Sequence, residues 1–308
     1  MISGEGSPDA LGLIGLGSMG APMARALLQA GFALRVYNRS PGPADELVAH
    51  GAVIAPRPAD AVPGPSRVVV SMVSDDRALE AVTLGEGGIL QALGAGGVHL
   101  SMSTVAPETA RRLAAEHAGR GAAYLSAPVF GRPEAAAARS LWVCISGEGA
   151  ARRRVQPVLR GLGQGGFDVG EDPAAACVVK LAGNFLIAAA IEALGEACAL
   201  VEKNGIEPAT FVEAMGTTLF ACPIYQSYGR TIVEQSYDPA GFKLSLGLKD
   251  AGLIRGAALW SGVRMPLAEL LQERFRDAAE KGRSELDWSV VALSAAEEAG
   301  LRGETPQV

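Results

Sequence analysis

Lys180 and Asn184 lie four residues apart in an otherwise apolar stretch running from Ala174 to Ile191. That spacing puts both side chains on one face of a helix. A lysine held there loses hydration, which favours its neutral form and brings proton transfer within reach of neutral pH. An asparagine beside it can hold the lysine or a substrate oxygen by hydrogen bonding. The pair suits protonation of a carbonyl oxygen, or the reverse removal of a proton from an alcohol. Spacing alone equally admits a lysine whose stem packs while its ammonium reaches water.

A second group is Gly15-Leu16-Gly17-Ser18-Met19-Gly20, placed directly after an apolar run, Leu11 to Gly15, and at the start of a helical pattern. In a strand–turn–helix setting the first glycine permits the tight turn and the second lets a pyrophosphate approach the backbone. The third lets helix and strand pack closely. The helix N-terminus adds free N–H groups and the positive end of its dipole. The expected ligand is a nicotinamide dinucleotide. At the end of the next strand an NAD site places a carboxylate on the ribose 2′-OH. Here the residues are Asn38-Arg39-Ser40, with no acid among them. Arg39 is suited to pair with a 2′-phosphate, so the reading is NADP, with NAD possible.

These residues need a frame. Short apolar runs at 11–15, 33–37, 67–73, 98–102, 122–125 and 141–145 alternate with helical patterns such as 18–30, 107–120 and 150–162. Such alternation predicts an α/β fold, a doubly wound Rossmann sheet, parallel and covered on both faces. From Asp172-Pro173, which reads as a helix start, to the stop signal Asn204-Gly205, a single helix is expected. Its first half is apolar nearly all round, which implies burial on all sides. Beyond it the pattern is helical at 208–215, 223–235, 241–260, 266–281 and 287–299, with no strand after Val169. The expected domains are 1–172, a dinucleotide-binding domain, and 173–308, an all-helical substrate and dimerisation domain, joined by the long buried helix.

Composition narrows the class. The chain has 308 residues, 49% hydrophobic and 19% charged, enough to bury a sizeable core. A net charge of −6 argues against nucleic acid as a partner. Cys144, Cys177, Cys198 and Cys222 lack metal-ligand spacing and read as buried reduced thiols; His50, His99 and His117 read as surface or helix residues. No metal is expected. The polar N-terminus, Met1 to Ala10, has no leader pattern. Although the stretch from Ala174 is apolar enough to raise the question of a membrane, Lys180 and Asn184 interrupt it. A soluble cytoplasmic protein is expected, with part of the long helix covered by a second subunit in a homodimer or higher assembly.

With these residues in view, the chain resembles the β-hydroxyacid dehydrogenase family, which includes 3-hydroxyisobutyrate dehydrogenases and glyoxylate or semialdehyde reductases. Its first domain is similar to the NAD-binding domain of 6-phosphogluconate dehydrogenases. The segment Leu13 to Ala24, with Met19 and Pro22-Met23, is close to the family's N-terminal signature. Met102-Ser103-Thr104 before Pro107 looks like its Ser-Thr segment near the nicotinamide. Ala127-Pro128-Val129 with Gly131 looks like its substrate loop, and Leu248-Lys249-Asp250 like its late cofactor-contacting segment. The resemblance implies Lys180 and Asn184 as catalytic residues. It implies Val73, Ser74, Thr104 and Lys249 as cofactor contacts, and Ser126, Phe130, Gly131 and Arg132 as substrate contacts.

There are departures. Glu171, Ala174 and Ala176 stand where the family has glycines, and the loop opens with Ser126 and continues Phe130-Gly131-Arg132 in place of an aspartate and Ser-Gly-Gly. Arg132 offers a bidentate fork to a substrate carboxylate, or else points to solvent or pairs with Glu134. The expected activity is hydride transfer between nicotinamide and a small hydroxy acid, aldehyde or oxo acid. Imine reduction and a catalytically silent dinucleotide sensor are the alternatives. The presence of a lysine at 180, with Asn184 and Lys249, argues against both.

Overall fold

The computed structural model describes residues 10–64 and 67–302, so the N-terminal segment read above lies, except for Ala10, outside the described residues. The chain divides into two compact units, one ending at Lys180 and the other beginning at Leu181. The division falls inside the long helix, Ala175–Lys203, eight residues later than the 172/173 boundary expected from sequence.

In the first unit nine strands form one sheet. They are β1 (Ala10–Ile14), β2 (Ala33–Tyr37), β3 (Val53–Ile54), β4 (Val68–Ser71), β5 (Val98–Ser101), β6 (Ala123–Ser126), β7 (Val129–Phe130), β8 (Leu141–Gly147) and β9 (Gly163–Asp168). The order is β3-β2-β1-β4-β5-β6-β8-β7, with β9 also on β8. Strands β3 to β6 run parallel, and β4 and β5 are buried along their whole length. The chain leaves β1 in one direction and returns on its other side as β4. That reversal opens a crevice at the carboxyl ends of β1 and β4.

The all-parallel expectation fails beyond β6, because β8 is antiparallel to both β6 and β7. The sequence signal missed β3 and β7, each only two residues long. It also missed β9, Gly163-Gln-Gly-Gly-Phe-Asp168, whose composition opposes a strand. Pairing along β8 imposes it: a Cβ at Gly165 would lie 2.5 Å from the Trp142 ring. The helix expected at 150–162 is two, Gly149–Arg154 and Gln156–Leu162, with Pro157 removing a ladder donor at the break.

His99 on β5 and His117 in the helix Pro107–Ala118 are both fully buried, contrary to the surface reading of His99. Their bonds fix the protons. The Leu113 carbonyl can only accept, so His117 Nδ1 donates to it at 2.6 Å. His117 Nε2 then accepts from His99 Nδ1 at 3.2 Å, and His99 Nε2 accepts from the Ser71 hydroxyl at 2.8 Å. Burial holds both imidazoles below the ordinary histidine range. Groups kept neutral when folded but free to charge when unfolded stabilise the fold above the unfolded pKa. That contribution is lost as pH falls below about 6.5. Each histidine then steepens the acid loss by up to about 1.4 kcal/mol per pH unit. Urea unfolding between pH 7.5 and 5 should show this slope, and a His99→Gln/His117→Gln variant should be flatter; equal slopes would remove the histidines from the account.

The second unit is helical: Pro208–Thr217, Pro223–Glu234, Leu244–Ser261 and Pro266–Glu280 follow the long helix. The last expected helix is a 3₁₀ turn, Trp288–Ala292, then Leu293–Glu298. Its core gathers Ile191, Leu194, Leu244 and Phe275 about Trp288, whose indole N–H donates to the Tyr228 hydroxyl at 2.7 Å. Tyr228 is thus a core residue.

Burial on all sides does not hold for the long helix. Leu186 and Leu200 are 67% and 66% exposed, and Val178 and Val179 also face outward. The helix is long and apolar enough to cross a membrane, but Glu192 on it is buried against Arg274 at 2.9 Å rather than lying on a polar edge. Cys144, Cys177 and Cys198 are buried as expected; Cys222, preceding the helix Pro223–Glu234, is exposed.

Candidate active site

The glycine turn follows β1. Gly15 has φ +90°, and a Cβ there would sit 2.1 Å from the Met72 carbonyl oxygen. At Gly20 it would sit 1.9 Å from the Gly15 oxygen, so neither position admits a side chain without opening the turn. A Cβ at Gly17 would meet nothing within 4 Å. Gly17 therefore faces open space, and the helix Gly20–Gln29 has no side-chain cap on its first N–H groups. An open glycine backbone beside uncapped donors fits a pyrophosphate.

Asn38 locks the turn to the end of β2. Its Oδ1 accepts from the Leu16 N–H and its Nδ2 donates to the Ser40 carbonyl, both at 2.9 Å. Arg39 beside it is exposed, with no hydrogen bond or ion pair among the described residues. Ser18 is exposed and Met19 half-buried at the same turn. At the end of β4 the Val73 N–H donates to the buried Ser103 hydroxyl at 2.9 Å, tying β4 to the segment that carries half-buried Thr104. The Ser74 hydroxyl donates to Asp75.

Lys180 occupies the second turn of the long helix, whose start is clasped by β8. The Ser146 hydroxyl donates to the Pro173 carbonyl and accepts from the Ala176 N–H, both at 3.1 Å. Asp172 Oδ1 accepts from the Ala174 N–H, and its carboxylate takes a two-point contact from Arg111. From this anchored turn the Lys180 ammonium lies over the Phe130 ring, 4.4 Å from its centroid. Phe130 ends β7, opposite Trp142 on β8. Burial pushes the Cys144 thiol on β8 up, and the positive charge of Lys180 pulls it back. The lysine thus points at the β7–β8 pair.

In the substrate loop Gly131 has φ +138°, and a Cβ there would lie 2.7 Å from Leu141. Half-buried Arg132 leads into the helix Pro133–Ala137. Ser126 ends β6 and is buried, with its hydroxyl 3.6 Å from the Cys177 thiol. In the second unit Asn184 is buried and its Nδ2 donates to Asp250 Oδ2 at 2.6 Å. Lys249 stands 2.9 Å from the other oxygen of the same carboxylate.

With this geometry in place, two family models together cover residues 10–294 of the chain. The NAD binding domain of 6-phosphogluconate dehydrogenase matches residues 10–182, and the NAD-binding region of NADP-dependent 3-hydroxyisobutyrate dehydrogenase matches 174–294. The chain belongs to the β-hydroxyacid dehydrogenase family. It is 43% identical to an uncharacterized oxidoreductase of Bacillus subtilis, over 91% of this chain and 98% of that one. It is 35% identical to an NAD-dependent L-serine dehydrogenase of Pseudomonas aeruginosa, over 91% and 96%. The crystal structure of 3-hydroxyisobutyrate dehydrogenase from Salmonella typhimurium superposes with a TM-score of 0.83 at 26% identity, covering 93% of this chain and 99% of that one.

As a β-hydroxyacid dehydrogenase, the chain is an NAD(P)-dependent oxidoreductase acting on a CH–OH group. Two positioning residues escaped the sequence reading. Asp250, which takes the Asn184 amide, directly follows Lys249 but carries no sequence signal of its own. Ser146 lies in an ordinary apolar strand and acquires its role only when β8 meets the long helix.

Proposed function

We propose that this enzyme interconverts a small oxo acid or aldehyde acid and its hydroxy acid with NADP(H), using Lys180 as general acid and base. The observation that carries the proposal is the anchored lysine: a half-buried ammonium on a clasped helix turn, one turn before an asparagine fixed by Asp250. Bound along Gly15–Gly20, a nicotinamide dinucleotide supplies the hydride. Lys180 Nζ gives its proton to the carbonyl oxygen in reduction and takes it back in oxidation. Asn184, its amide orientation set by Asp250, holds the same oxygen or the lysine. Val73, Ser74, Thr104 and Lys249 are assigned to the cofactor, and Arg132 to the substrate carboxylate. Phe130 narrows the pocket toward a carbon skeleton different from that of the family's usual substrates. Exposed Leu186 and Leu200 on the long helix support a homodimer or higher assembly.

The test is an initial-rate screen of small aldehydes, 2- and 3-oxo acids and imines against NADPH and NADH. An oxo or aldehyde acid with NADPH should lead; imines leading, or no turnover anywhere, would overturn the assignment. The preference for NADPH rests on Arg39, exposed at the end of β2 with no acid nearby. Arg39→Asp should cost about 1.5–3 kcal/mol in NADPH binding, roughly 10- to 150-fold in Kd, and leave NADH little changed. Equal losses for both cofactors would remove Arg39 from the 2′-phosphate.

A further inference from the structure

We propose that Phe130 is a positioning residue for proton transfer: its ring face holds the Lys180 ammonium in place and keeps it charged until a carbonyl oxygen arrives. The inference rests on Lys180 being the proton-transfer residue.

The Lys180 nitrogen is 4.4 Å from the ring centroid, well inside the ~6 Å within which the negative face of an aromatic ring attracts a cation. Both side chains are half-buried, and the attraction strengthens as water is excluded. Phe130 is fixed in turn by pairing with Trp142 and by the tightly packed Gly131 that follows it, where an added Cβ would lie 2.7 Å from Leu141.

Charge balance around Lys180 gives the ring its weight. The apolar helix favours the neutral amine, and Arg132, two residues beyond Phe130, adds a positive charge to the loop. On β8 the facing titratable group is Cys144, whose thiol burial pushes up; one turn back on the long helix is Cys177, pushed up to about 11. Both are neutral at working pH. The π face of Phe130 favours the charged form of the lysine without itself accepting the proton. In reduction the Nζ–H bond breaks as the substrate O–H bond forms, leaving a neutral amine. Hydride from the reduced nicotinamide dinucleotide forms the C–H bond. The attraction to the ring ends when the charge leaves.

The experiment is the pH dependence of kcat/KM for carbonyl reduction by the full-length enzyme, using its best substrate from the screen. The variants are Phe130→Leu, Phe130→Met and Phe130→Tyr. Leucine and methionine keep apolar bulk without a π face; tyrosine keeps the face. The wild-type rate should fall on an alkaline limb as Lys180 loses its proton. In the leucine and methionine variants that limb should move to lower pH by about 0.5–1.5 units, and in the tyrosine variant it should stay. Limbs that coincide in wild type and in whichever of the two aliphatic variants folds would overturn the proposal while leaving Lys180 as the acid. A limb that persists in Lys180→Ala would overturn the assignment of Lys180, and this inference with it.

Discussion

Replacing Lys180 by alanine should lower kcat by about 10²–10⁴-fold while the cofactor Kd stays within about twofold. The size follows from the proposed role: in that mechanism the variant removes a proton donor that follows the clasped first turn and lies over the ring of Phe130. Cofactor binding should survive, because the glycine turn, Asn38 and Arg39 lie on β1, β2 and the loops between them, away from the long helix in sequence. Lys180→Arg should rescue poorly, since a guanidinium does not release its proton near neutral pH. The measurement is steady-state turnover with fluorescence titration of NADPH. A loss below tenfold would leave Lys180 as a packed lysine whose head reaches water.

The second large effect is expected at Asp250. Its carboxylate is 1% exposed and answers two groups at once, the Asn184 amide and the Lys249 ammonium. Asp250→Ala leaves a buried amide without its acceptor and takes the carboxylate contact away from a mostly buried cation. Breaking such a buried pair costs about 3–5 kcal/mol of unfolding free energy. Lys249 keeps some contact with water, its side chain being 23% exposed, which places the loss toward the lower end. Asp250→Asn retains an acceptor for Asn184 and should recover part of the stability. In the proposed mechanism both variants also lower kcat, because Asn184 loses its fixed orientation. Urea unfolding and kcat should be read on the same preparations. Unchanged stability in Asp250→Ala would show that water replaces the carboxylate.

The family's own variation bears on the cofactor. The L-serine dehydrogenase relative is NAD-dependent, so membership does not decide between NAD and NADP. The proposed preference for NADP rests on the residues after β2, where Asn38 is engaged with Leu16 and Ser40 while Arg39 is exposed. Within one fold, cofactor choice is a matter of one or two side chains at a strand end, and the competition between NADPH and NADH in the Arg39→Asp variant addresses it directly.

Much was legible in the sequence because it was local. The glycine turn declares itself, since strain at Gly15 and close approach at Gly20 forbid any other residue. The strand β2 and the long helix follow from apolar periodicity and from stop signals a few residues away. Lys180 and Asn184 stood out as polar residues in an apolar run. What tertiary structure alone decided was non-local. Strand β9 is a glycine-rich segment made into a strand by β8, and His99 is buried because β5 lies inside the sheet with the helix Pro107–Ala118 bringing His117 against it. The partners of Lys180 and Asn184 also come from far along the chain: Phe130 for Lys180, 50 residues earlier, and Asp250 for Asn184, 66 residues later. Propensity and periodicity act over a few residues, whereas the groups that hold a charge or orient an amide are chosen by packing. The residue types of the site are therefore written in the sequence, and their mutual support is made only by the fold.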